Sequence, residues 1–130
     1  KLCLYGNDID ETTTPLEAGL AWVVKSDAEY VGRAAIDRQR AEGPKRRLVC
    51  LEMVERGIAR HGMPILPAGA AGEAIGVVTS GAPSPTLGKN IALGYVPTDL
   101  AAAGSRVAVD VRGKRVAAEV VKSPFYRRSV

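Results

Sequence analysis

Histidine, phenylalanine and tryptophan each occur once among the 130 residues, cysteine twice, and aromatics make up 5% of the chain. Each scarcity closes a class of function. With one histidine, His61, and cysteines as far apart as Cys3 and Cys50, no set of soft ligands has the spacing of a zinc site. The acidic run Asp8-Ile9-Asp10-Glu11 lacks the glycine and the terminal glutamate of a calcium loop. A serine nucleophile needs a base beside it, and nothing in the sequence places His61 next to Ser80 or Ser84. Two cysteines in apolar contexts, LCL and VCL, read as buried thiols of a reducing compartment and not as a disulfide framework. So few, scattered aromatics give no stacking platform for a nucleic acid. No run approaches the ~18 consecutive apolar residues of a membrane-spanning helix. The first residue is Lys1, with no basic-then-apolar leader after it, and KLCLYG reads as a start partway through a fold.

What is present is an ordinary globular composition, 46% hydrophobic and 25% charged, with a net charge of +4. That charge favours an acidic partner or an anionic small molecule without choosing between them. The length suits one domain, or one domain with a piece of another.

Two regions differ in period. Residues 1–43 read as a lead-in with short helices, and 44–130 as a β domain. In the lead-in, Thr14, Pro15 and Glu17 form a capping box with proline at the first helical position, and Gly19 limits that helix to a turn or two. AWVVK (21–25) reads as a short strand. Residues 32–42 predict a surface helix stopped by Gly43-Pro44, its Arg33, Arg38 and Arg40 solvated. From residue 46, six short runs alternate with Gly, Pro or Ser: RRLVCLEMV, MPILP, EAIGVVTSG, NIALGYVP, SRVAVDVRG and KRVAAEVVKS. The last two predict a hairpin turning at Gly113. The fold expectation is therefore mainly β, α+β overall, with a small antiparallel six-stranded barrel of Greek-key type.

SGAPSPTLGKN (80–90) tempts comparison with a phosphate-binding loop. Six residues separate Gly81 from Gly88, not four; Asn90 replaces the magnesium-binding Ser or Thr; and Pro83 and Pro85 remove N–H donors. The stretch is expected to turn the chain, its hydroxyls satisfying backbone groups. RGIARHGMP (56–64) gathers Arg56, Arg60 and His61 in one turn suited to holding a carboxylate.

LYGNDIDETTTPLEAGLAWVVK, YVGRAAI, GIARHGMPIL, IGVVTSGAPSPTLGKNIALGYVP and KSPFYRR, in that order, resemble the C-terminal part of the glycine cleavage system T-protein family of aminomethyltransferases. The resemblance implies a longer enzyme, with residues 1–43 the C-terminal remnant of its folate-binding region and 44–130 its C-terminal β-barrel domain. That enzyme takes the aminomethyl group from the lipoyl arm of the H protein. Its one-carbon unit passes to tetrahydrofolate, giving 5,10-methylenetetrahydrofolate and ammonia. It implies no metal, nucleic acid or membrane partner, and a cytoplasmic location, or the mitochondrial matrix in a eukaryote. The family's catalytic aspartate and most of its folate pocket correspond to nothing in these 130 residues, so no catalytic residue is assigned, and Asp8 and Asp10 belong to another motif. Tyr5 corresponds to a position near the folate, and Tyr126 and Arg127 to the folate entrance. Arg56 and Arg60 correspond to positions facing the H protein. Two other readings fit parts of the pattern: the C-terminal domain of a dimethylglycine or sarcosine dehydrogenase, and a non-enzymatic basic barrel that binds RNA or protein.

Overall fold

The structure, a computed structural model, describes residues 1–25, 27–69 and 71–129. Its centre is a closed antiparallel barrel of six strands: β1 (Arg46–Met53), β2 (Pro64–Pro67), β3 (Gly76–Ser84), β4 (Lys89–Pro97), β5 (Arg106–Val111) and β6 (Lys114–Val121). Around the barrel the order is β1-β4-β3-β2-β5-β6, with β6 closing onto β1. β2, β3 and β4 follow one another as neighbours while β1 returns beside β4, which is the Greek-key arrangement. Each of the six apolar runs in the sequence becomes one strand.

The barrel interior takes alternate residues. Val49, Leu51 and Met53 of β1, Ile65 of β2, Val107 and Val109 of β5, and Val116, Ala118 and Val120 of β6 share one buried cluster. In β6 the alternation is clean, buried then half-buried, as expected where one face meets water. β1 and β4 break it. Leu48, Cys50, Leu93 and Tyr95 point outward yet are buried, because Cys3, Val121 and Phe125 cover them. The start and the end of the chain therefore meet on one outer face.

Two turns follow from backbone chemistry. Between β5 and β6, Arg112 (φ 55°) and Gly113 (φ 87°) both adopt left-handed conformations, the requirement of a type I′ hairpin. Asp110 caps this turn by accepting from Gly113 N at 2.6 Å. In the second hairpin, SGAPSPTLGKN is mostly strand, contrary to expectation. β3 runs through Ser84, β4 starts at Lys89, and Ala82, Pro83 and Ser84 pair with Ile91, Asn90 and Lys89. Only 85–88 turn. Prolines are tolerated there because β2 pairs only with the first residues of β3, leaving the far half without a strand on that side.

In the lead-in, the capping box forms: Glu17 N donates to Thr14 Oγ1 (3.2 Å) and Thr14 N to Glu17 Oε1 (3.4 Å). It caps a single turn, 15–19, and no longer helix. AWVVK is not a strand. Ala21–Val23 is a 3₁₀ turn with no buried residue, since no strand lies beside it among the described residues. α1 (Arg33–Glu42) ends at Gly43 as predicted and has no buried residue. Cys50 is buried, whereas Cys3 is only half-buried.

Candidate functional site

Two surfaces carry the residues singled out above. The first is the face where the chain ends meet. Tyr5 belongs to a tight loop, 4–9, in which Asp8 N donates to Leu4 O (2.9 Å) and Gly6 N to Ile9 O (2.8 Å). Tyr5 is 70% exposed and borders a depression of about 200 Å³ lined also by Ile9, Thr13, Pro15 and Leu20. Phe125 packs on the same outer cluster as Cys3. This brings Tyr126, 55% exposed, and the exposed Arg127 to the face that begins with residues 1–5.

One residue holds that face in place. Asp8 is 4% exposed. Its Oδ1 accepts from Thr79 Oγ1 (2.7 Å) and Ser80 Oγ (2.8 Å), and its Oδ2 from Leu4 N (3.0 Å). Its backbone carbonyl accepts from the Tyr95 hydroxyl at 2.8 Å. Burial acts against ionisation more than any other single influence. The bonds from Thr79, Leu4 and Ser80, with His61 nearby, outweigh it together and hold the carboxyl below its ordinary range.

The clamp depends on a β-bulge. The β3–β4 register shifts between Val78, opposite Gly94, and Ser80, opposite Leu93. Thr79 is the extra residue, and a bulge re-aims side chains. Consecutive residues Thr79 and Ser80 can thereby reach the same carboxylate oxygen. The Thr79 carbonyl lies 2.7 Å from His61 Nδ1, and a carbonyl only accepts, so Nδ1 carries the proton.

Arg46 makes the second tie between lead-in and barrel. Its Nε donates to Glu17, its Nη2 to Thr12 O (3.0 Å), and its guanidinium lies 4.8 Å from the centre of the Tyr95 ring. Thr14 Oγ1 donates to Gln39 Oε1 of α1 at 2.6 Å. Asp10 serves its own turn, accepting from Thr12 N (2.8 Å) and Thr12 Oγ1 (2.6 Å), a local side-chain-to-backbone turn bond.

The second surface is the connection between β1 and β2. Asn90 Nδ2 holds it by donating to Gly57 O (2.8 Å). Ala59 is buried against β3 at a point where only glycine fits: a Cβ at Gly81 would stand 2.2 Å from Ala59 O. Arg60 Nη1 donates to Gly81 O at 2.9 Å, which leaves the rest of its exposed guanidinium to solvent. Arg56 is exposed beside a polar groove of about 460 Å³ that contains the ion pairs Lys89–Glu52 (2.6 Å) and Arg106–Glu119 (3.2 Å). Arg56 and Arg60 thus share one connection, remote in sequence from Tyr5, Tyr126 and Arg127. His61 stands beside Thr79, two bonds of the network away from Asp8.

The Asp8 clamp was not legible in the sequence. Asp8 and Thr79 are 71 residues apart, and only a bulge, which has no composition signal here, joins them. Among the described residues, no group of three or more His, Cys, Asp or Glu side chains is arranged to hold a metal. Among the same residues, no helix is long and apolar enough to cross a membrane.

Residues 46–127 match the family model described as the glycine cleavage T-protein C-terminal barrel domain. The chain belongs to that family. The match begins at the first residue of β1 and ends in the tail that covers the outer cluster. The aminomethyltransferase of Geobacillus kaustophilus is 50% identical over 130 residues, covering 98% of this chain and 35% of that protein. The aminomethyltransferase of Synechocystis sp. is 54% identical over 126 residues, covering 95% of this chain and 33% of that protein. The crystal structure of glycine cleavage system aminomethyltransferase T from Bartonella henselae superposes with a TM-score of 0.88. Its identity is 37%, and the match covers 96% of this chain and 35% of that one. The chain spans about a third of the length of these relatives. Lead-in as well as barrel lies within the matches, since they extend over nearly all of the T-protein-like chain.

Proposed function

We propose that the chain is the C-terminal part of a tetrahydrofolate-dependent aminomethyltransferase of the glycine cleavage system, working in the bacterial cytoplasm. The observation that carries this reading is 50% identity to an aminomethyltransferase across both lead-in and barrel. In the full-length enzyme the aminomethyl group arrives on the lipoyl arm of the H protein. Tetrahydrofolate, when bound, accepts the one-carbon unit, and ammonia leaves. The reacting carboxylate is assigned to the remainder of the enzyme, since the two acids buried among the described residues are engaged in holding the fold: Asp8 by Thr79, Ser80 and Leu4, and Glu17 by Arg46 and Thr14.

The residues here fit one wall of a folate site. The depression beside Tyr5, about 200 Å³, is below the ~300–1,000 Å³ of a typical ligand pocket. Its apolar lining and the exposed Tyr5 ring suit the flat face of a pterin, and Arg127 suits the carboxylates of the folate tail. The barrel and the chain ends then act as a lid that positions folate and excludes water from the reactive aminomethyl group.

Arg56 and Arg60 present cations on the β1–β2 connection, and a net charge of +4 steers an acidic carrier toward the surface. Arg60 contributes more, since Arg56 lies among Glu52, Glu55 and Glu119. In the full-length enzyme, Arg60→Ala is expected to reduce kcat/KM about 10-fold with H-protein-bound substrate, a loss equivalent to about 1.4 kcal/mol. Free aminomethyl-lipoate should be used as before. Equal losses with both substrates would remove Arg60 from the docking surface.

A further inference from the structure

The one histidine of the chain has no part in the function proposed above, yet the fold gives it a defined partner. His61 is exposed and follows Arg60 on the β1–β2 connection. Its Nδ1 donates to Thr79 O at 2.7 Å, and next to it Gly62 N donates to Val78 O at 2.8 Å. Thr79 is 5% exposed and is the extra residue of the β3 bulge. A bulged residue falls outside the regular ladder, and His61 supplies this one with a bond from beyond the sheet.

The Thr79 side chain has two places to bond. Its hydroxyl carries one proton and faces two acceptors, Asp8 Oδ1 at 2.7 Å and Leu93 O at 3.2 Å. Directed at Asp8, the hydroxyl helps to hold loop 4–9, which carries Tyr5. Directed at Leu93, it serves the sheet alone. Asp8 then keeps Ser80 Oγ (2.8 Å) as its β3 side-chain partner and Leu4 N (3.0 Å), which belongs to the same loop. Coupling between separated groups needs an element with two discrete arrangements. A threonine hydroxyl between two acceptors is such an element.

We propose that His61 is a positioning residue for the Tyr5 loop: by fixing the Thr79 carbonyl it sets the bulge so that the Thr79 hydroxyl is directed at Asp8. Without the imidazole the bulged residue is free to shift, its hydroxyl turns to Leu93 O, and loop 4–9 loosens. His61 itself stays on the β1–β2 connection and acts on the loop only through Thr79 and Asp8. That the loop borders folate rests on the aminomethyltransferase reading; that His61 orders the loop does not.

The test uses the full-length enzyme with H-protein-bound substrate at saturation. His61→Ala is expected to raise KM for tetrahydrofolate about 5-fold with kcat unchanged. Amide exchange over residues 4–9 should quicken by a similar factor while β1 and β4 keep their protection, which shows the barrel intact. His61→Asn, whose amide nitrogen stands as many bonds from the backbone as Nδ1, should restore both values. Thr79→Val removes the hydroxyl and keeps the carbonyl, and in that background His61→Ala should add nothing further. Unchanged exchange over 4–9 in His61→Ala would overturn the proposal. So would a full additional loss in the Thr79→Val background, or a His61→Asn variant no better than His61→Ala. Faster exchange with an unchanged KM for tetrahydrofolate would leave His61 positioning the loop and remove Tyr5 from the folate site.

Discussion

Asp8 accepts three hydrogen bonds while 4% exposed, and its position links the loop that carries Tyr5 to the bulge in β3. A carboxylate held this way stabilises the fold only while it is ionised. Its pKa lies below the ordinary value, so its contribution is complete above about pH 4 and is lost as pH falls through the folded pKa. Asp8→Asn leaves Thr79 and Ser80 facing an amide in place of an acceptor pair. At pH 7 the variant is expected to be less stable by about 2 kcal/mol. In a pH series of thermal unfolding curves, the gap between variant and unsubstituted protein should close as the pH drops below about 4. A gap that does not change with pH would mean that Asp8 contributes by shape and not by charge. None of this was foreseeable from Asp8 itself: beside Asp10 and Glu11 it reads as surface, and Asp10 does behave that way, exposed and bonded to its near neighbours Thr12 and Thr13. The difference between the two acids is made by a partner 71 residues away.

At the scale of elements, local chemistry predicted what depends on neighbours in sequence. The β5–β6 hairpin turns where Gly113 requires, and α1 stops at Gly43. The Thr14–Glu17 box forms its reciprocal bonds although only one turn follows. Where the outcome depends on distant neighbours, the reading failed. AWVVK has strand composition and no strand beside it, and SGAPSPTLGKN has turn composition but lies along β4. Its small residues are there because other backbone comes close. Gly81 is the clearest instance, with Ala59 O only 2.2 Å from where a Cβ would stand. Gly81→Ala should therefore displace the 54–63 connection and the Arg60 contact, costing about 2–3 kcal/mol. Gly88→Ala, at φ 63° but with nothing within 4 Å, should cost only about 1 kcal/mol. Chemical denaturation of the two variants separates them, and equal costs would show that the close approach at Gly81 relaxes without penalty.

Across the whole molecule, the barrel and the lead-in share a boundary that is buried on both sides. Six apolar runs were enough to foretell six strands, because each strand's inner face meets the same core. The double burial of β1 and β4 was also written in their sequences, RRLVCLEMV and NIALGYVP, which are near-continuous where β6 alternates. What such runs do not name is the cover, and here it comes from Cys3 near the start of the chain, Phe125 near its end and Val121 at the end of β6. The cover has a chemical reporter. Cys50 is 2% exposed, and burial, ahead of the charges around it, pushes the half-buried Cys3 thiol up and makes it a poor nucleophile. In the 130-residue chain a thiol reagent should react slowly with Cys3 and hardly at all with Cys50. A polypeptide of residues 44–130 lacks Cys3, the Asp8 clamp and the Glu17–Arg46 pair, so one wall over Leu48, Cys50, Leu93 and Tyr95 is gone. Its Cys50 should react at least about 10-fold faster under native conditions, since local opening then exposes the thiol without unfolding the barrel. If Cys50 stays as slow in the shortened chain, Val121 and Phe125 suffice as cover, and the lead-in is held by the barrel without protecting it.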